Sequence, residues 1–228
     1  IESVLMRYAF GNSVCVSSQS GCRMGCAFCR STRDNLDRNL SAYEILAQVY
    51  EIQKDIGERV SNVVVMGSGE PLDNYDNTVS FVNILSSKEG LNIGQRHITI
   101  STCGIVPKIN ELSALGLGVN LAVSIHAPND DIRADIMPVA KAYDIRSLIS
   151  SCDAYAKATG RRVTYEYALI KGVNDSADNA KELASLLKGK LCHVNLIPVN
   201  DVEDMNFFWP LKKIVEQFSD VLKSRRIA

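Results

Sequence analysis

Cys22, Cys26 and Cys29 lie in the stretch SGCRMGCAFCRS at the spacing C-x3-C-x2-C. Structural zinc sites close a tetrahedron with four ligands, commonly as two local pairs. A fourth ligand here would have to be Cys15, His97, Cys103 or His126, none at local-pair spacing. Two readings stay open: a zinc knot completed from a distance, or a [4Fe-4S] cluster on three thiolates, whose remaining iron can chelate a small molecule and pass it an electron. Gly21 and Gly25 give the loop the backbone freedom to wrap such a group.

A loop of this kind needs a rigid base. Short β-branched runs alternate with longer amphipathic stretches, the pattern of repeated βα units around a parallel sheet. Strands are expected near 13–18, 61–67, 96–101, 118–124, 162–169 and 192–198. Helices are expected near 41–57, 75–87, 105–115, 130–138 with 145–159, 176–188 and 208–224. Ser41 with Glu44 reads as a capping box, and Asp175 reads as the cap of the helix closed by Gly189. Six such units are too few for an eightfold barrel and predict a partial (β/α)6 barrel or a doubly wound sheet. In both, ligands collect at the C-terminal strand ends, here SSQSGCRMGCAFC, GSGEP, STCG, SIHAPND, ALIKGVND and IPVN. Each turns polar or glycine-rich directly after an apolar run.

The bulk composition is ordinary. A chain of 228 residues fits one domain over 1–228, with the cysteine loop at 19–35 and a C-terminal helix near 208–224. Charges of 25 basic and 26 acidic residues leave a net −1, so nucleic acid would have to bind through local patches. The first residues lack a signal-peptide pattern and no run of apolar residues is long enough to span a membrane, so a cytoplasmic monomer without membrane contact is expected. Seven cysteines with one tight trio suit metal or redox work better than a disulfide framework.

The trio after the first strand, with Phe28 before its last cysteine, resembles the signature of the radical S-adenosylmethionine (SAM) superfamily. The resemblance implies that Cys22, Cys26 and Cys29 hold a [4Fe-4S] cluster whose free iron binds SAM, which is cleaved to methionine and a 5′-deoxyadenosyl radical. The segments CVSSQSGCRMGCAFC, GSGEPLDNYDN, RHITISTCGIVPKI, VNLAVSIHAPNDDIR, VTYEYALIKGVNDS and HVNLIPVN further resemble, in order and spacing, the RlmN/Cfr family of RNA adenine methyltransferases, over about residues 1–200. SIHAPND, NLIPVN and Pro128 lie nearer its RlmN branch. That branch implies methylation of carbon 2 of an adenine in 23S rRNA and tRNA, through a methyl-cysteine intermediate and with an external electron donor. Carbon 2 is an electron-poor amidine carbon without a lone pair, which is why a radical route is needed.

Carried over by position, Gly69 and Glu70 would meet the SAM ammonium, and Ser101, Ser124, Ile125, His126 and Asn200 would contact SAM. Cys15 would be the resolving cysteine that releases the methylated base by forming a disulfide, and Glu2 would be the proton acceptor. On residue type alone, Cys15 reads as a strand cysteine, His126 as a loop histidine and Glu2 as a solvated end charge. Cys103, Cys152 and Cys192 read as small core residues. Arg23, Arg30, Arg33 and Arg38 around the loop would line an RNA phosphate path or form a solvated face, and Trp209 with Phe207 and Phe208 would dock a helix on the sheet.

The match has gaps. No cysteine follows Cys192, so the family's methyl carrier is expected to be missing from this chain, as is the family's N-terminal accessory domain. The chain is therefore expected to be a catalytic core, able to bind cluster and SAM but unable to complete methylation. Ser68 stands where Met or Ile is usual. A radical SAM enzyme using direct hydrogen abstraction and a zinc-stabilised RNA-binding domain remain the alternatives.

Overall fold

The computed structural model describes residues 1–33, 35–199 and 207–227. Its main sheet has seven strands: β1 (Val4–Tyr8), β2 (Gly11–Cys15), β5 (Val60–Val65), β6 (Ile98–Thr102), β7 (Asn120–Ser124), β8 (Val163–Leu169) and β9 (Cys192–Pro198). β1 is antiparallel to β2, and all later neighbours are parallel. The spatial order follows the chain without the reversal that a doubly wound sheet requires, leaving the curled partial (β/α)6 barrel.

The alternation of side chains explains the curl. Val63, Val65, Ile98, Ile100, Leu121, Val123, Tyr165 and Tyr167 point outward and are all but fully buried in the main core. Their neighbours Val64, Thr99, Asn120, Ala122, Thr164 and Glu166 face inward and line an open lumen. An apolar outer face with a more polar inner face is the period-two pattern of a sheet that wraps a site.

Helices α1 (Ala42–Ile56), α2 (Tyr75–Ser86), α3 (Val106–Ala114), α4 (Asp130–Ile136), α5 (Ile145–Thr159), α6 (Ala177–Leu186) and α7 (Lys212–Ser224) form the outer layer. The Ser41–Glu44 capping box opens α1 as expected. The cap of α6 is corrected: Ser176 caps it, boxed with Asn179, while Asp175 Oδ1 accepts the Gly172 N–H in the preceding turn. Two neighbouring cappers compete, and the one three residues before a second polar partner wins. The last helix begins at Lys212, after Pro210, rather than near 208.

Two elements had no counterpart in the sequence reading. β1 has no buried residue and pairs along one edge of β2. A two-stranded ladder joins β3 (Gln19–Ser20) to β4 (Arg38–Asn39), at the two ends of the cysteine loop. No described helix is long and apolar enough to cross a membrane.

Candidate cluster and cofactor site

The cysteine loop is pinned at its base. Besides the β3–β4 pairing, Asp37 N–H donates to Ser20 O at 2.8 Å and Leu40 N–H to Ser18 O at 3.1 Å. The crossing is tight: a Cβ on Gly21 (φ 74°) would lie 1.7 Å from the Asn35 carbonyl oxygen. Within the loop, Cys29 N–H donates to Cys26 O at 3.1 Å, and the Thr32 hydroxyl donates to Cys29 O at 2.9 Å. Ala27 N–H donates to Ile136 O at 2.9 Å and ties the loop to the end of α4.

Cys22, Cys26 and Cys29 open onto one cavity of about 150 Å³ that is open to solvent on one side. Its walls come from the strand ends: Gly69 and Glu70 after β5, Ser101, Thr102 and Cys103 at β6, and Ser124 and His126 at β7. Burial pushes the thiol of Cys22 up to about 11 and that of Cys26 up to about 12. Both are neutral in the metal-free protein and must shed a proton to ligate.

Glu70 is 3% exposed, and burial raises its pKa above the ordinary carboxylate value despite hydrogen bonds from Cys103 and Leu72 that lower it. Its Oε2 accepts the Cys103 N–H at 2.6 Å and its Oε1 the Leu72 N–H at 2.9 Å. The side chains of Thr102 and Cys103 also hydrogen-bond the carboxylate, so an ammonium would take the place of one of these weaker partners. The Gln19 amide completes the support, accepting the Glu70 N–H at 2.8 Å and donating to Asn39 and Asp73. Gly69 adopts φ 102°, and a Cβ there would stand 2.5 Å from the Gln19 Cβ.

His126 has the positive φ of 50°, uncommon for a residue with a side chain. Its Nδ1 accepts the Ala168 N–H at 2.8 Å, which leaves the proton on Nε2. Its carbonyl accepts the Asn174 amide at 2.6 Å, and its ring meets Phe28 edge-on at 4.8 Å. Burial, helped by Arg133, lowers its pKa to about 3, so the ring is a neutral donor at physiological pH.

Other expected residues are placed differently. Ile125 does not join the cavity: its side chain is fully buried in the main core, and its N–H donates to Glu166 O at 3.1 Å. Glu2 is exposed and borders a neighbouring groove with Gln19, Ser20, Gly21, Arg30 and Ser68. Cys15 stands one residue behind the cavity wall, its sulfur hydrogen-bonded to the Met66 backbone and its thiol pKa raised by burial. All seven cysteines are free thiols, so the disulfide expected at Cys15 is not seen in the structure. Asn200 lies outside the described residues.

Cys103 is the buried apolar residue expected, packed with Ile136 and Met137, but sequence reasoning missed that it also forms part of the cavity wall, with its thiol pKa pushed up by burial. Its position in the strand end STCG was the available signal. Cys152 is a core residue and Cys192 packs against that core, as does Trp209. Among the loop arginines, Arg23 pairs with Asp73 and Arg38 with Glu44 at 2.6 Å.

The residues fit a cluster better than a single ion. Among the described residues no three His, Cys, Asp or Glu side chains converge closely enough to hold one metal ion. Of the distant zinc ligands weighed above, His97 instead bonds Asn62 at 2.9 Å and His126 has committed its Nδ1. Three thiols around an open cavity suit a cubane, which takes each thiolate on a separate iron.

The profile of the radical SAM superfamily matches residues 16–184. The chain is 55% identical over 222 residues to the probable dual-specificity RNA methyltransferase RlmN of Clostridium novyi, covering 97% of this chain and 65% of that protein. It is 58% identical to the protein of the same description from Clostridioides difficile, over 100% of this chain and 66% of that one. It thus spans about two thirds of the length of these relatives. A radical SAM methyltransferase from Sphaerobacter thermophilus superposes with a TM-score of 0.96 at 48% identity, covering 100% of this chain and 67% of that structure.

Proposed function

Since the chain belongs to the radical SAM superfamily, we propose that its 228 residues are the catalytic core of an RlmN-type RNA methyltransferase, which methylates carbon 2 of adenine in 23S rRNA and tRNA through a methyl-cysteine intermediate. The observation that carries this reading is the convergence of Cys22, Cys26, Cys29 and Glu70 on one cavity at the strand ends. A bound [4Fe-4S] cluster supplies an electron and an open iron position for SAM.

The protein's own groups would do the rest. Cys22, Cys26 and Cys29 ligate, and Glu70, with Gly69 allowing close approach, takes the SAM ammonium. Ser101, Ser124 and the Nε2–H of neutral His126 offer uncharged hydrogen bonds to the rest of the cofactor. Asn200 is assigned to the same task by sequence position. Cys15 would resolve the protein–RNA crosslink by attacking the methyl-bearing sulfur, forming a disulfide and freeing the base. Glu2 would accept the proton lost from the base. The setting is cytoplasmic, with one domain acting as a monomer, an external one-electron donor, and RNA phosphates guided along the loop arginines.

Anaerobic reconstitution followed by iron and acid-labile sulfide analysis tests the assignment. The expected result is four irons and four sulfides per chain, with 5′-deoxyadenosine formed from SAM under reduction. Zinc without acid-labile sulfide would overturn it.

A further inference from the structure

Arg133, on α4, is 0% exposed. Its Nε donates to Ile125 O at 3.2 Å, and its Nη2 to Cys103 O at 2.7 Å and Ser124 O at 3.4 Å. The side chain thereby clamps the ends of β6 and β7, the two strands that present Ser101, Cys103, Ser124 and His126. A guanidinium has five N–H donors, and here Nη1 is buried without a partner. Among the described residues no carboxylate forms an ion pair with Arg133. Asp130, on the same helix, accepts the Ile145 N–H instead. Burying a cation without an opposite charge is costly, yet the fold keeps this one next to Gly104, where a Cβ would stand 3.1 Å from Nη2.

The surroundings say what the missing charge is. The groups whose ionisation would favour the Arg133 cation are, in order, Cys103, Cys26, Asp130 and Cys152. Cys26 is a cluster ligand, and it packs with Cys103, Ile136 and Met137 beside the end of the same helix. Three thiolates leave a [4Fe-4S] centre with net negative charge, and an added electron makes it more negative. The low dielectric of a buried site strengthens the attraction to a nearby cation.

We propose that Arg133 is the built-in counter-cation of the cluster, a positioning residue that clamps two strand ends and also raises the reduction potential of the centre beside it. This rests on the cluster reading above. The unpaired charge that destabilises the metal-free protein becomes stabilising once the anion is in place, and more so after reduction.

The test compares the wild type with Arg133→Gln and Arg133→Lys, each reconstituted and assayed for iron and sulfide before an EPR-monitored redox titration. Arg133→Gln should load normally yet be at least tenfold harder to reduce at a given potential, a fall of about 59 mV for one electron. Arg133→Lys should retain most of the wild-type potential. The rise in Tm on cluster loading should also be smaller for Arg133→Gln than for wild type. An unchanged potential with an equal rise in Tm would leave only a structural clamp and overturn the proposal.

Should Arg133→Gln fail to fold, wild-type protein carrying 15N-arginine serves instead. Pulsed EPR of its reduced cluster should show 15N coupling that disappears in Arg133→Lys, and its absence from wild type would equally overturn the proposal. Wild-type protein that takes up no iron or sulfide would refute the cluster reading itself, which separates the two failures.

Discussion

The Cys103 N–H donates to Glu70 Oε2 at 2.6 Å, joining the end of β6 to the turn after β5 across a buried carboxylate. Glu70 is thus both a cavity wall and the bond between two strand ends. Glu70→Ala should leave two buried N–H groups unpaired, at about 1–3 kcal/mol each. Urea denaturation of the metal-free protein should report a loss of at least about 2 kcal/mol. Glu70→Gln retains an acceptor and should lose less stability, while SAM affinity, measured by calorimetry on the loaded protein, should still fall about tenfold or more through loss of the charge.

His126 makes stability depend on pH in one direction. Its pKa is depressed from 6.5 to about 3, so below 6.5 the unfolded chain binds a proton that the fold refuses. Its contribution is therefore full above pH 6.5 and declines as pH falls toward 3, at up to about 1.4 kcal/mol per pH unit. The difference between wild type and His126→Gln in urea denaturation should narrow from pH 7 to pH 5. Ring 15N shifts of wild type should show a neutral Nε2–H tautomer throughout that range.

Gly69→Ala would force a side chain into φ 102° and onto Gln19, whose backbone nitrogen would lie 2.8 Å from the new Cβ. Strain at one such residue is about 1–3 kcal/mol. Because the turn also holds Glu70, SAM binding should weaken by more than a stability loss of that size accounts for. Equal SAM affinity in wild type and variant, by calorimetry, would contradict the close approach assigned to Gly69.

Cys15→Ala should separate making the radical from releasing the product. Cys15 stands behind Met66 and outside the cysteine trio's cavity, so iron content and 5′-deoxyadenosine formation should stay within about twofold of wild type. In protein that includes the methyl-carrying cysteine, methylated RNA should instead disappear, with a protein–RNA adduct seen by denaturing gel and mass spectrometry.

What could be read from the chain follows from how locally each feature is encoded. Val63, Val65, Ile98 and Ile100 announce strands because they fall in short β-branched runs, and the polar residues after them announce the site. β1 escapes because no residue of VLMRY is fully buried and the strand owes its conformation to β2. Ile125 parts from its neighbours, since Ser124 and His126 reach the cavity while its own side chain turns into the core, a division that residue type does not announce. Arg133 was silent in NDDIRADI, where a charge on a short helix reads as solvent-facing. The three carbonyls that claim it come from two separate strand ends, and nothing local in the sequence announces that meeting.

The ladder of Gln19 with Asn39 and Ser20 with Arg38 makes the intervening segment a ring fastened by hydrogen bonds alone. Its closure entropy is met when the polypeptide folds, before any iron arrives. Chelating the iron should therefore relax only the ring's interior, and limited proteolysis of the apoprotein should cut between Cys22 and Asp37 while sparing the knot at Gln19 and Asn39.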